Sequence, residues 1–303
     1  MLDLLLYTLT VLIWGASWLA IKYQLGVVAP EVSLVYRFAL AAMTMMVLCV
    51  AARRPMRFPL RAHARMAALG LFLFSTNYVF IYLGSRHLTS GLVAVAFSTV
   101  VAMNILLGAL LFRAPIRPRV AAGAALGLAG IAIVFWPEIA AFELSSPGSL
   151  GLVLALTGTA SASLGMLTSG RAQAAGVPVV QANAYGIAYG TLLLTGFCLV
   201  RGASFDFDPS FPYVASLAFL AVFATVIGFW SYLTLLGRIG ADRAAYVTVL
   251  FPIVALALST AFEGYRWTLA AAAGIVLTVL GNVLILSHGG KRPRPTVTTK
   301  PAE

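Results

Sequence analysis

The chain has 303 residues, 61% of them hydrophobic and only 10% charged, with a formal net charge of +11. So few charges cannot cover the surface of a soluble fold, which excludes the soluble classes and indicates a polytopic membrane protein. Two cysteines, Cys49 and Cys198, and three scattered histidines, His63, His87 and His288, support neither a disulfide framework nor a metal site, and no cofactor is expected. Asp3 lies ahead of the first apolar run, no basic residue precedes that run and no cleavage site follows it, so a secretory signal is not expected.

A helix needs about 20 apolar residues to cross the hydrocarbon core. Ten runs meet that need: 4–22, 31–52, 66–84, 91–112, 119–136, 149–169, 180–200, 212–236, 244–262 and 267–287. The predicted fold class is therefore all-α and polytopic, with ten transmembrane helices. The first run contains WGASWLAIK. At helical spacing Trp14, Trp18 and Lys22 form one stripe, with Ser17 beside it. Trp18 and Lys22 suit the membrane edge, where an indole anchors and a lysine snorkels. Trp14 lies deeper and lines a cavity or packs a helix. Gly15, Ala16 and Ser17 offer a neighbouring helix a close approach.

Arg37 lies about six residues into the second run, or about 9 Å deep at about 1.5 Å per residue. An intramembrane arginine costs at least about 2.5 kcal/mol on insertion scales and faces protein or a watery cavity. It is either a fixed cation for a substrate carboxylate or a structural group paired with helix-end carbonyls, Glu31 or Glu263. The third run places Ser75, Tyr78, Tyr82 and Ser85 on one stripe, with Asn77 adjacent. The fourth offers Ser98, Thr99 and Asn104, the eighth Thr225, Phe229, Trp230 and Tyr232, and the ninth Tyr246 and Thr248. Aromatic and hydroxyl groups paired in this way suit a small amphipathic solute. GAALG (123–127) and GIAYG (186–190) are GxxxG packing motifs. No Asp or Glu lies in the middle of a run, so obligatory proton or sodium coupling is not expected.

Fifteen cations fall on one side of the ten runs: Arg53, Arg54, Arg57, Arg61, Arg65, Arg113, Arg117, Arg119, Arg171, Arg238, Arg243 and four in the tail after His288. The other side has only Arg86, Arg201 and Arg266. The positive-inside rule then puts both termini in the cytoplasm. The basicity is a topology signal, and no nucleic-acid partner is expected. The polar, Pro-containing tail, 289–303, reads as disordered.

IYLGSRHLTSGLVAVAFSTVVA (81–102) and TLLGRIGADRAAYVTVLFPIVA (234–255) align at an offset of 153. A repeat of five spans is odd, so the second copy enters the membrane from the opposite side, a plan that permits alternating access. At that offset Asn77 and Tyr78 correspond to Trp230 and Ser231.

WGASWLAIK, the early arginine in VYRFALAA, LGSRHLTSGLVAVAF, LFPIVALALSTAFEGYRWT and AAAGIVLTVLGNVLI, taken in order, resemble the EamA branch of the drug/metabolite transporter superfamily. YddG-type aromatic-amino-acid exporters are a plausible relative within it. The resemblance implies two five-helix repeats, 1–144 and an inverted 145–288. It also implies an inner-membrane exporter of small metabolites, most simply neutral or aromatic amino acids. The alternatives are purines, drug-like solutes or proton-coupled antiport. The substrate-binding residues expected are Trp14, Ser17, Trp18, Arg37, Asn77, Tyr78, Tyr82, Ser98, Trp230 and Tyr246. Lys22, Pro252 and Glu263 are expected to be structural or gating. The partners expected are a small-molecule substrate and the lipid bilayer, with the chain a monomer or weak homodimer. The halves differ chemically. Thr99 stands where a proline matching Pro252 is usual, Leu110 where a Glu matching Glu263 is usual, and SASLG (161–165) replaces the Trp-Gly pair. An enzyme would need a His, Cys or carboxylate cluster at membrane depth, and a receptor would need large loops; the sequence has neither.

Overall fold

In a computed structural model, residues 1–113, 115–116, 118–136, 146–239 and 247–286 are described, and they are helical with no strand among them. In chain order the helices are α1 (Leu2–Lys22), α2 (Pro30–Ala51), α3 (Leu60–Gly84), α4 (Ser90–Phe112) and α5 (Pro118–Val134). They continue with α6 (Pro147–Ala174), α7 (Val179–Val200), α8, α9 (Val247–Phe262) and α10 (Leu269–Leu286). Helix α8 is assembled from Phe211–Ala218, Phe219–Ile227 and Gly228–Ile239. Seven helical spans are long and apolar enough to cross a membrane, and α5, α9 and α10 are apolar but shorter.

The starts follow local chemistry. Pro30 and Pro147 occupy the first turns of α2 and α6, where a missing N–H costs nothing. Ser146 caps α6 by accepting from the Ser149 N–H at 3.3 Å. Helix α3 begins at Leu60, six residues before the apolar run predicted at 66–84, because its first turns are amphipathic: Ala62 and Met66 are buried and Arg61 and Arg65 exposed.

Two helices open into wider π turns, α3 over Gly70–Thr76 and α8 over Phe219–Ile227. Such turns shift the backbone register, leave carbonyls for other donors and are frequent at functional sites. Helix α4 breaks at Ser98 and Thr99, whose hydroxyls donate to the Val95 and Ala96 carbonyls at 2.6 and 2.7 Å. Helix α9, by contrast, runs unbroken through Pro252.

The helices pack in a regular set of pairs. Helix α1 lies against α8 and α9, α6 against α3 and α4, α2 against α7, and α5 against α10. Small residues allow the approach. A Cβ on Gly274 would sit 2.6 Å from the Gly130 carbonyl, and one on Gly123 2.8 Å from the Gly281 carbonyl, so α5 and α10 touch through backbone. Gly190 of the GIAYG motif meets the Gly70 carbonyl at 2.9 Å in the same sense. Gly15 makes room for Val254 of α9, the role read for that cluster.

Candidate functional site

Arg37 is 2% exposed and lies between α2 and α3. Its guanidinium sits 4.6 Å from the Tyr78 ring centre and 5.0 Å from that of Phe38, and Nη1 donates to the Tyr82 hydroxyl at 3.4 Å. Its Nε has no hydrogen-bond partner, and among the described residues no carboxylate pairs with it. Of the structural partners expected, neither Glu31 nor Glu263 pairs with it, and its side-chain bond goes to the Tyr82 hydroxyl. Aromatic faces attract a cation but replace neither its lost hydration nor a counter-charge.

The rings around Arg37 continue across the molecule. Phe38 meets Phe74 at 5.9 Å, Phe74 meets Phe229 at 6.4 Å, and Phe229 meets Trp14 at 5.5 Å, with Tyr232 on the other side of Trp14 at 5.1 Å. Four helices, α1, α2, α3 and α8, thus supply one aromatic band ending at a buried cation. Phe38 and Phe74 are absent from the sequence prediction. The only signal for Phe38 is its place beside Arg37 in VYRFALAA, and Phe74 reads as ordinary core.

Trp14 also has a polar contact. Its Nε1–H donates to the Ala224 carbonyl, inside the π segment of α8, at 3.1 Å. Gly228 leaves space for the indole, since a Cβ there would lie 2.6 Å from Nε1. The other π segment is treated alike: the Ser161 hydroxyl of α6 donates to the Phe72 carbonyl at 2.8 Å. SASLG therefore does with a hydroxyl what WGASW does with an indole. Asn77 donates to the Leu73 carbonyl of the same segment at 3.2 Å, and its buried Oδ1 is left without a partner.

Trp18 belongs to a second ring group, 5.2 Å from Phe97 of α4 and 5.8 Å from Phe251 of α9. One turn further along α1, Lys22 donates to the Ser85 carbonyl and, at 2.9 Å, to the Leu88 carbonyl. It also lies 3.8 Å from the Glu263 carboxylate. Glu263 accepts from the Ser90 hydroxyl and from the Ser90 N–H at 2.9 and 3.1 Å, capping α4. The ends of α1, α3, α4 and α9 are thus latched together. Beside this latch Gln24 donates to the Tyr213 carbonyl and the Ser216 hydroxyl, and Ser33 bonds the Tyr213 hydroxyl, a buried group the sequence reading did not identify. At the far end of α1, Asp3 pairs with Arg238 of α8.

The structure brings together Arg37, Tyr78 and Tyr82, with Asn77 next to Tyr78 in the chain, and Trp14 joins them only through the Phe229, Phe74 and Phe38 rings. Ser17 is turned back, its hydroxyl bonded to the Trp14 carbonyl at 2.7 Å. Ser98 lies elsewhere. With Thr278 and Asn282 it lines two cavities of about 10 Å³ each, one beside Pro252, and each about the size of a water. Trp230 does not join the band: it is 60% exposed, while its neighbour Ser231 is fully buried. At an offset of 153 the π segment of α3, Gly70–Thr76, would fall at 223–229, whereas that of α8 is Phe219–Ile227, so the positions which that offset pairs are not in phase. Tyr246 lies outside the described residues.

Seven apolar helices long enough to cross a bilayer, with a buried cation and an aromatic band among them, define a polytopic helical membrane protein. The EamA-like transporter family model matches residues 1–136 and again 149–287, and the chain belongs to that family. It is a membrane transporter and not an enzyme. It is 24% identical to an "Uncharacterized transporter" of Archaeoglobus fulgidus, over 92% of this chain and 96% of that one. It is also 24% identical to a "Probable amino-acid metabolite efflux pump" of Escherichia coli, over 97% of each. A crystal structure 19% identical in sequence superposes with a TM-score of 0.66, covering 93% of this chain and 95% of that chain, which shows a shared fold.

Proposed function

We propose that the chain exports small carboxylate-bearing metabolites, foremost neutral or aromatic amino acids, by alternating access and without obligatory ion coupling. The observation that carries this is Arg37, a buried cation caged by rings with an unpaired Nε and no carboxylate partner among the described residues. A substrate carboxylate supplies the missing counter-charge, and the Tyr78, Phe38, Phe74 and Trp14 rings supply a face for an apolar side chain. The Escherichia coli relative, named a probable amino-acid metabolite efflux pump, supports the same reading.

The architecture we infer is ten spans in two inverted five-helix repeats, 1–144 and 145–288, with both termini cytoplasmic, in a bacterial inner membrane as a monomer or weak homodimer. Several features support the repeat. The helix pairs come in exchangeable sets, α1–α9 with α6–α4, α1–α8 with α6–α3, and α2–α8 with α7–α3. Both α3 and α8 carry a π segment, and α6 and α1 each donate to a carbonyl within one. In this reading the Lys22–Glu263–Ser90 latch closes the outer side and Asp3–Arg238 lies at the inner, and the two alternate. No Asp or Glu lies in the middle of an apolar run, and Glu263 sits just past the end of α9, which supports solute exchange.

Counterflow in proteoliposomes tests this. Unlabelled aromatic amino acids inside should accelerate entry of labelled phenylalanine. Arg37→Ala should lower the rate at least about tenfold, because an interaction of a charged pair is lost. Arg37→Lys should recover only part, since an ammonium lacks the planar fork. If amines or purines alone accelerate entry, or Arg37→Ala is silent in a folded protein, the carboxylate reading fails. A solute-driven pH change would overturn uncoupled exchange.

A further inference from the structure

We infer that the strap between α2 and α3 is a docking site for an anionic phospholipid headgroup. Its sequence, from Ala52 to Arg65, carries Arg53, Arg54, Arg57, Arg61 and Arg65, all exposed. No Asp or Glu occurs anywhere between Glu31 and Glu138. Among the described residues none of the five arginines forms an ion pair. A high local positive charge without internal compensation is matched by anions outside the chain.

The strap is held in place. The Tyr185 hydroxyl of α7 donates to the Met56 carbonyl at 2.7 Å, and Gln181 of α7 donates to the Pro55 carbonyl at 3.4 Å. Phe58 packs edge-on to Tyr185 at 6.1 Å, and the Tyr189 hydroxyl meets His63 Nδ1 at 2.8 Å. Arg53 turns the chain out of α2 with a φ of 51°, a conformation rare for a residue with a side chain. A segment so anchored presents its arginines as a fixed array.

Two features select a lipid over a soluble anion. The strap joins the ends of two helices long and apolar enough to cross a membrane, which puts it at headgroup level. On the first turns of α3 the exposed residues are Leu60, Arg61, Ala64 and Arg65. Leu60, 84% exposed, suits an acyl chain, while Arg61 and Arg65, one turn apart, suit a phosphate in a bidentate fork. The ligand class is a phospholipid with net negative charge, such as phosphatidylglycerol. Because α7 holds the strap and also packs against the π segment of α3, lipid binding stabilises the seam beside the aromatic band.

The test uses the full chain in vesicles of phosphatidylcholine with spin-labelled phosphatidylglycerol or spin-labelled phosphatidylcholine, reading the motionally restricted fraction by electron paramagnetic resonance. Phosphatidylglycerol should be restricted in preference, and Arg57→Gln, Arg61→Gln and Arg65→Gln together should remove most of that preference, at about fivefold per arginine. Arg53 and Arg54 remain in this variant to hold the orientation. An unchanged preference in a folded variant overturns the site, as does an equal loss from Arg113→Gln at the end of α4. Full displacement of the labelled lipid by inorganic phosphate makes it a soluble-anion site instead and also overturns the proposal. Should the triple variant fail to fold, the wild-type chain decides: its preference should fall toward the phosphatidylcholine level at molar salt, and salt-insensitive preference overturns the proposal.

Discussion

The seam between α1 and α8 and the seam between α6 and α3 solve one problem with different chemistry. Each has a π segment that leaves a carbonyl needing a donor. In one seam Trp14 reaches Ala224, and in the other Ser161 reaches Phe72. The hydroxyl only satisfies the carbonyl. The indole also extends a ring into the aromatic band, 5.5 Å from Phe229 and 5.1 Å from Tyr232. Similar backbone geometry thus supports unequal contents, and the two seams are chemically asymmetric. Helices α4 and α9 differ in the same way: Ser98 and Thr99 interrupt one through side-chain bonds, and Pro252 sits inside the other without ending it.

Removing the indole altogether should separate the two seams most sharply. Trp14→Ala takes away both ring and donor and should destabilise the fold by about 3–5 kcal/mol, read by detergent or denaturant unfolding of the reconstituted chain. It should also weaken phenylalanine counterflow. If stability falls while transport per folded molecule is unchanged, the aromatic band is packing only.

Smaller effects are expected from the hydrogen bonds alone. Ser161→Ala leaves the Phe72 carbonyl without its donor and should cost about 1 kcal/mol, with substrate selectivity unchanged. A selectivity change there would mean that the second seam also lines the substrate path. The smallest loss should come from the latch. Glu263→Gln keeps an oxygen to accept from Ser90 but drops the ion pair with Lys22, whose side chain is 26% exposed, so the stability cost should stay within about 1 kcal/mol. Cysteine-accessibility labelling at the outer side should rise in this variant if the latch gates, and stay at the wild-type level if it only staples helix ends.

Much of this molecule was readable in the chain. Apolar runs mark the helices because a bilayer leaves a spanning segment few alternatives to helix, and Arg37 stands out because a cation at that depth needs a reason. The Gly-rich packing faces and the shared stripe of Tyr78 and Tyr82 also follow from helical spacing. Trp230 shows where that logic stops. Its side chain is exposed and outside the ring band, and no local residue pattern announces the π segment just before it.

By itself, then, the sequence determined the solvent, the helical class and the one costly intramembrane charge, because hydrophobic length and transfer energy are local properties. Only the tertiary structure decided that Arg37 has no carboxylate partner among the described residues while Glu263 goes to Ser90 and Lys22, and that Ser161 stands in for Trp14. Those choices depend on which helices meet and at what phase, and small residues and widened turns set both through contacts between residues 89 to 210 apart in the chain.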